Sequence, residues 1–433
     1  MSSETEISQS FFGSNLQLPL DPISGKIEEF TQDDFPHKVN LIQSAPRDGQ
    51  DSCSLLPSVR EAASRFNKQD FFQGCSPILG HQGLRDAVAK SILGEHISST
   101  RGAQVCTCKP TFRIFFGLIQ LATCQANSDI GAFNLASKLI ARCHSPRGKV
   151  YLPEATSSSY LQAALDAGLE CEVFDHFDTS CKQVDFDSYK KMLVVAEAGS
   201  AILLYACGND VTGTDFSEDE WAEVGRIIKE RNLFPIFNAA YLGLASGFVD
   251  KDAYAIRYFI DELKVETAVC ASYDHSMGLY GEGVGCLLVY TSSNSIASYC
   301  SAYLEQVQRS QISNPPRYGA SIAHLLLTDS ELTEKWANDL QQLVDRSRYL
   351  RRYLYDSLLD QAIPGQWNFI IRQKGLFGFL GLSRAAVKEL RETYHIYMAD
   401  NSRISLAALN EENAMYLAIA MADCVRNELL NDF

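Results

Sequence analysis

An α/β fold of parallel strands joined by crossover helices is predicted by three features of this 433-residue chain. Short apolar or β-branched runs, Ala201-Ile-Leu-Leu-Tyr-Ala206, Leu233-Phe-Pro-Ile-Phe237 and Thr267-Ala-Val-Cys-Ala271, alternate with helical patterns. Between the first two runs, Ser217 and Glu220 have the spacing at which a hydroxyl and a carboxylate cap a first helical turn reciprocally, and that helix should end near Arg231. Apolar residues at 46% and charged residues at 21% supply a sizeable core, enough at this length for two or three domains.

Taken in order, residues 1 to about 30 are rich in Ser, Gln and Glu with little periodicity and read as an extended or partly disordered arm. The alternating middle follows. From about residue 328 the texture changes. Thr328 and Glu331 offer a second capping box, and Leu332, Trp336, Leu340, Leu343, Tyr349 and Leu350 approximate the stripe of a long amphipathic helix, with core packing as its simplest use. A helix from Ser383, short strands at 395–398 and 403–406, and a last helix through Met415, Ile419 and Val425 complete a smaller α/β unit.

Charge and cysteine usage exclude several function classes. A net charge of −15 repels phosphate backbones and anionic membrane surfaces, so nucleic acid and membrane partners are not expected. The 13 cysteines are an odd number, and only Cys106 and Cys108 lie close together, which spells neither a disulfide framework nor a metal site. Reduced thiols and a cytoplasmic location fit this pattern. The first residues carry two acids and no base before Lys26, unlike an import presequence. Apolar runs are far shorter than the roughly 20 residues a bilayer requires.

No GxGxxG, P-loop, HExxH or nucleophile elbow occurs. Three stretches carry more: Gly208-Asn-Asp-Val-Thr-Gly-Thr-Asp215, Phe234-Pro-Ile-Phe-Asn-Ala-Ala-Tyr-Leu-Gly-Leu-Ala-Ser-Gly247 and Tyr273-Asp-His-Ser-Met-Gly-Leu-Tyr-Gly-Glu-Gly-Val-Gly285. Together with Lys38-Val-Asn-Leu41, Pro77-Ile-Leu-Gly80, Asp252-Ala-Tyr-Ala-Ile-Arg-Tyr-Phe259 and Ser313-Asn-Pro-Pro316, they resemble the cytoplasmic type of aspartate aminotransferase, in the class I pyridoxal-phosphate-dependent family.

The resemblance implies the type I pyridoxal-phosphate transferase fold: a large domain at 76–327 with a mixed, mostly parallel sheet, and a small α/β domain from 31–75 and 328–433, after the arm at 1–30. It also implies a homodimer with shared active sites. In such a site a lysine amine bonds the cofactor aldehyde and moves a proton, an aspartate keeps the ring nitrogen protonated, and a Gly-rich helix start, a serine and an arginine hold the phosphate. Two arginines clamp a dicarboxylic substrate.

At the matching positions this chain departs. His275 stands where the lysine belongs, and an imidazole has no primary amine. Asn238 replaces the aspartate, forfeiting a charge-assisted bond of roughly 1.5–3 kcal/mol. The Gly-rich loop is matched to Cys108-Lys109-Pro110, where Lys109 could restore a positive charge, and Gly283 replaces the cup arginine. Cys75 stands for a partner-subunit tyrosine, Ser157 for the stacking tryptophan, Tyr160 for the histidine beside the aspartate, and Asp210 for an asparagine. Tyr241, Ser272 and the clamps Arg309 and Arg403 match.

Two functions follow as expectations. The first is a catalytically inactive member without covalently bound cofactor, acting through a dicarboxylate ligand or as a dimer partner of itself or of an active relative. The second is residual aspartate:2-oxoglutarate transamination. His275 could be a general base, but a core-satisfied histidine is the plainer reading.

Overall fold

A computed structural model describes residues 22–42, 55–68, 74–100, 120–143, 148–154, 158–178 and 182–431. Its strands are β1 (Val39–Asn40), β2 (Leu121–Ala126), β3 (Val150–Pro153), β4 (Cys171–Phe174), β5 (Phe177–Asp178), β6 (Gln183–Val184), β7 (Ala201–Tyr205), β8 (Phe234–Ala239), β9 (Thr267–Ser272), β10 (Gly285–Tyr290), β11 (Phe377–Phe379), β12 (Ile396–Tyr397) and β13 (Arg403–Ser405). Seven of them form one sheet in the order β2-β10-β9-β8-β7-β3-β4. Only β10 runs against its neighbours β2 and β9; the other pairs are parallel, as the alternation predicts.

Successive side chains of a strand point to opposite faces, and here both faces are apolar. Ile202, Leu204, Phe237, Val269 and Leu288 enter one core, and Ala201, Leu203, Ile236, Ala268 and Leu287 enter another on the far side. Pro235 sits inside β8 without cost to the ladder, because pairing with β9 begins only at Ile236. The helix Glu218–Glu230 starts at Ser217 with the full reciprocal cap to Glu220 and ends at Arg231.

A third core gathers Val39, Leu41, Leu350, Leu354, Ile396, Ile404 and Leu417. The pairs β1-β12 (parallel) and β11-β13 (antiparallel) belong to this region, so the two ends of the chain meet there. The 31-residue helix Ser330–Asp360 joins the regions: Leu332, Trp336 and Leu340 pack on the first core and Leu350 to Leu358 on the third. Trp336 Nε1 donates to Ser276 O at 2.7 Å, tying this helix to the loop after β9.

Four local expectations change. Pro22–Gln32 is a helix, so the part of the arm that is described is not extended. Pro57–Asn67, grouped with the smaller domain by resemblance, instead sends Val59 and Ala62 into the first core. The long helix is capped by Asp329, whose carboxylate accepts from Leu332 N at 3.1 Å. Thr328 is unavailable because its hydroxyl donates to His324 O, and Glu331 is engaged by Arg65 and Lys335. Tyr349 lies on the solvent side, where its hydroxyl donates to Glu411.

Candidate functional site

In parallel sheets ligands bind beyond the carboxyl ends of the strands. Five strand ends converge there: β2, β3, β7, β8 and β9 run the same way, and Gly285 at the start of β10 pairs with both Ala126 and Ser272. That edge collects Asp210 after β7, Asn238 near the end of β8, Tyr241 just beyond it, Ser272 at the end of β9, and His275 in the following turn. Arg403 arrives from β13 of the other region.

Asn238 is buried and fully engaged. Its Oδ1 accepts from Ala240 N at 2.9 Å and its Nδ2 donates to Tyr160 Oη at 2.6 Å. The Tyr160 hydroxyl in turn donates to Asp129 Oδ2. A neutral amide, a phenol and a carboxylate thus form one directed chain across β8, the helix Ser158–Asp166 and the helix Ser128–Cys143. Burial, with the charge of Asp129 adding to it, holds the Tyr160 phenol well above its ordinary range, so it remains a donor.

On the other side, Tyr241 Oη donates to Asp210 Oδ2 at 3.3 Å, while Asp210 Oδ1 is buried without a hydrogen-bond partner among the described residues. Arg403 Nη1 donates to Asp210 O at 3.4 Å, and its guanidinium lies 4.5 Å from the Phe377 ring centroid. Burial raises the Asp210 carboxyl, and Arg403 pulls it back. Phe377 itself meets Tyr241 edge-on at 6.0 Å. The approach of the two regions needs small residues: a Cβ on Gly375 (φ +83°) would sit 3.1 Å from Gly208 Cα.

His275 stacks on Tyr241, with centroids 4.7 Å apart and planes 23° from parallel, and meets Tyr280 at 5.3 Å. Its Nδ1 is buried and has no hydrogen-bond partner among the described residues. Burial pushes the imidazole down to about 4, opposed by Asp129 and helped by Arg403, so the ring is neutral at pH 7. Beside it, Asp274 Oδ1 accepts from Val284 N at 2.7 Å and Asp274 N donates to Ser272 Oγ at 3.2 Å. Burial lifts the Asp274 carboxyl to about 6, opposed by the Val284 N–H and the Ser272 side chain and reinforced by Asp129.

The neutral histidine has a consequence for stability. An unfolded chain takes up a proton near pH 6.5 that folded His275 refuses until about 4. The stability is therefore full above pH 6.5 and falls as pH drops toward 4, by about 2 kcal/mol at pH 5 for this one group. Urea unfolding at pH 7 and pH 5 should show a larger loss for the wild type than for His275→Phe, which keeps the stack on Tyr241; equal losses would refute the assignment.

The remaining expected residues are not brought together by the chain. Arg309 is exposed in the last turn of the helix Asn294–Gln311, and no bond from its side chain to the site is seen among the described residues. Cys75 is exposed. Lys109, with Cys106, Cys108 and Pro110, and Ser157 lie outside the described residues. The strand-to-helix turn that faces Gly283 is formed by Asn127, Ser128 and Asp129: a Cβ on Gly283 would lie 3.7 Å from Asn127 Cβ, and one on Gly285 would collide with the Ser128 carbonyl. No group of three His, Cys, Asp or Glu suited to a metal occurs among the described residues, and no described helix is long and apolar enough to cross a membrane.

Asp129 and Asp274 were not singled out by sequence reasoning. For Asp129 a signal existed, since Ser128-Asp129 directly precedes the apolar pattern of a helix that it opens as a first-turn acid.

Comparison with known proteins places this geometry. The family described as aminotransferase class I and II matches residues 36–421. The cytoplasmic aspartate aminotransferase of Oryza sativa subsp. japonica is 32% identical over 415 residues, covering 96% of this chain and 98% of that protein. The mitochondrial aspartate aminotransferase of Dictyostelium discoideum is 33% identical over 408 residues, covering 93% and 91%. Among solved structures, aspartate aminotransferase from Saccharomyces cerevisiae cytoplasm superposes with a TM-score of 0.87 at 29% identity, covering 98% of this chain and all of that one. An aromatic-amino-acid aminotransferase from Burkholderia pseudomallei, covalently bound to pyridoxal phosphate, gives 0.87 at 30% identity over 96% of this chain and all of that one.

Proposed function

Since the chain belongs to the aminotransferase class I and II family, with the pyridoxal-phosphate-dependent fold, we propose that it is a catalytically silent member that binds without turning over. Pyridoxal phosphate is the cofactor such membership leads one to expect, and the donor set at the strand ends fits it poorly. The observation that carries the reading is His275, which occupies the turn after β9 with its ring against Tyr241 and offers no primary amine. Lys264, the nearest lysine before it in sequence, is no substitute. It is half exposed beyond the opposite end of β9, 3.8 Å from Asp261. Asn238 supplies an amide where an ionised acid would be needed to keep a pyridine nitrogen protonated.

What remains is a carboxylate-binding shell. Arg403 brings a guanidinium to the site, 4.5 Å from the Phe377 ring centroid and with Nη1 on Asp210 O, which leaves its other N–H groups for a carboxylate. Arg309 would reach a shared site only from a second protomer, so the reading includes a dimer, with itself or with an active relative. A dicarboxylate such as aspartate or glutamate, or a corresponding keto acid, is the proposed ligand, in a cytoplasmic setting like that of the Oryza relative.

Residual aspartate:2-oxoglutarate transamination is the competing reading, favoured by relatives named aspartate aminotransferase that align along nearly the whole chain. Incubation with pyridoxal phosphate, borohydride reduction and peptide mapping separates the two. The proposal expects no adduct on residues 264–285 and calorimetric heat with dicarboxylates that weakens about 10- to 100-fold in Arg403→Ala, the loss of one charge-assisted fork. An adduct there, with aspartate-dependent oxaloacetate formation, would sink it.

A further inference from the structure

Helix N-termini carry unpaired N–H groups and a partial positive charge, which makes them docking points for phosphate. At the carboxyl edge of this sheet the helix Ser128–Cys143 begins directly after the edge strand β2, and the turn at its start lies against Gly283 and the start of β10. Sixteen residues long, it is the helix whose start borders Ser272 and the turn holding His275. An incoming anion would settle there, but the position already holds one.

We propose that the Asp129 carboxylate is a built-in anion that closes this helix start to phosphate and to phosphorylated cofactors; the inference deepens, and rests on, the catalytically silent reading. Three observations carry it. Asp129 sits in the first turn, where a carboxylate favours the helix dipole. It is not free to swing away, because the buried Tyr160 hydroxyl donates to it and is itself held by Asn238 Nδ2 at 2.6 Å. Half-buried, it turns Oδ2 toward the buried Tyr160 hydroxyl on the sheet side, and its charge acts on His275, Asp274, Asp210 and Tyr241.

Among the described residues no ion pair to Asp129 occurs. Gly283 places no side chain opposite the turn, and the guanidinium that reaches the site, Arg403, is directed at Asp210 O and Phe377. A dianionic phosphate entering here would face a like charge at close range in a medium of low dielectric, with Asp274 next to it. The same carboxylate that repels phosphate stabilises the fold: Asp129 completes the chain from Asn238 through Tyr160 that otherwise would end on a buried hydroxyl.

The test is calorimetric titration of the full chain at low ionic strength with three probes: pyridoxal phosphate, pyridoxal and inorganic phosphate. Asp129→Asn, which keeps the size and can still accept from Tyr160, should bind pyridoxal phosphate and inorganic phosphate at least about tenfold tighter than wild type, with pyridoxal unchanged. Tyr160→Phe, which removes the tether but not the charge, should gain less than Asp129→Asn for both phosphates. Asp129→Ser serves where the amide variant does not fold. Wild-type binding of pyridoxal phosphate as tight as that of the charge-free variants, or an equal gain for pyridoxal, overturns the inference. The silent reading fails on a covalent adduct and this one on phosphate selectivity, so their failures are distinguishable.

Discussion

Replacing Arg351 by Met is expected to lower the unfolding free energy by about 3 kcal/mol and to weaken dicarboxylate binding along with it. Arg351 lies in the long helix Ser330–Asp360 and is 2% exposed. Its guanidinium donates to Lys374 O and Gly375 O, each at 3.1 Å, and to Phe377 O at 2.6 Å. Burial pulls it down to about 10, which leaves it charged at neutral pH. Met fills much of the volume but strands three carbonyls, two of them buried, and an unsatisfied buried acceptor costs about 1–3 kcal/mol. The functional consequence follows from position. The segment 374–377 carries Gly375 against Gly208 and Phe377 beneath the Arg403 guanidinium, so losing the clamp loosens both sides of the site together. Urea unfolding reads the stability and calorimetry the affinity. Arg351→Lys should fall between, since an ammonium cannot fork across three carbonyls. A Met variant within 1 kcal/mol of wild type would mean that water satisfies the stranded carbonyls.

Much of the fold was legible because it is written in local, periodic signals. The runs that became β7, β8 and β9 are short, apolar and separated by capped helices, and Ser217 with Glu220 forms the cap its spacing promises. Where local signals compete, the sequence is silent about the winner. Thr328 and Asp329 are both good caps, and the choice was made by His324 O, which took the threonine hydroxyl, and by Arg65 and Lys335, which occupied Glu331. The helix Pro57–Asn67 packs on the first core because Ser58 N donates to Asp339 Oδ2, 281 residues away, a contact no local pattern announces.

The resemblance singles out Asn238, Tyr241, Ser272, His275 and Arg403, and these lie at one edge of the sheet or in the loop beside it. Asp129 is not among them. Its significance depends on which strand-to-helix turn faces Gly283, and that is settled by β2 pairing antiparallel with β10, a long-range register. The stretch around Lys109, matched by resemblance to the Gly-rich loop, lies outside the described residues, whereas Ser128-Asp129 opens a described helix at the carboxyl edge of the sheet.

The largest change in behaviour is expected from two substitutions made together. His275→Lys with Asp129→Asn should turn a chain that leaves pyridoxal phosphate unlabelled into one that borohydride fixes with about one cofactor on the 264–285 peptide, while His275→Lys alone should label about tenfold less. A lysine at 275 would lie against Tyr241, whose hydroxyl is bonded to Asp210, and within the field of Asp129. Two acids favour its protonated, unreactive form, and Asp129 also repels the phosphate that would bring the aldehyde within reach. Removing one charge therefore acts twice, on the amine and on docking, so the pair should exceed the sum of the single changes. Turnover should still stay low, because Asn238 spends its Oδ1 on Ala240 N and offers no negative charge to a ring nitrogen. Equal labelling of the single and double variants would clear Asp129 of its assigned part. A labelled wild type would locate the reactive amine elsewhere in the chain and remove the reason for calling it silent.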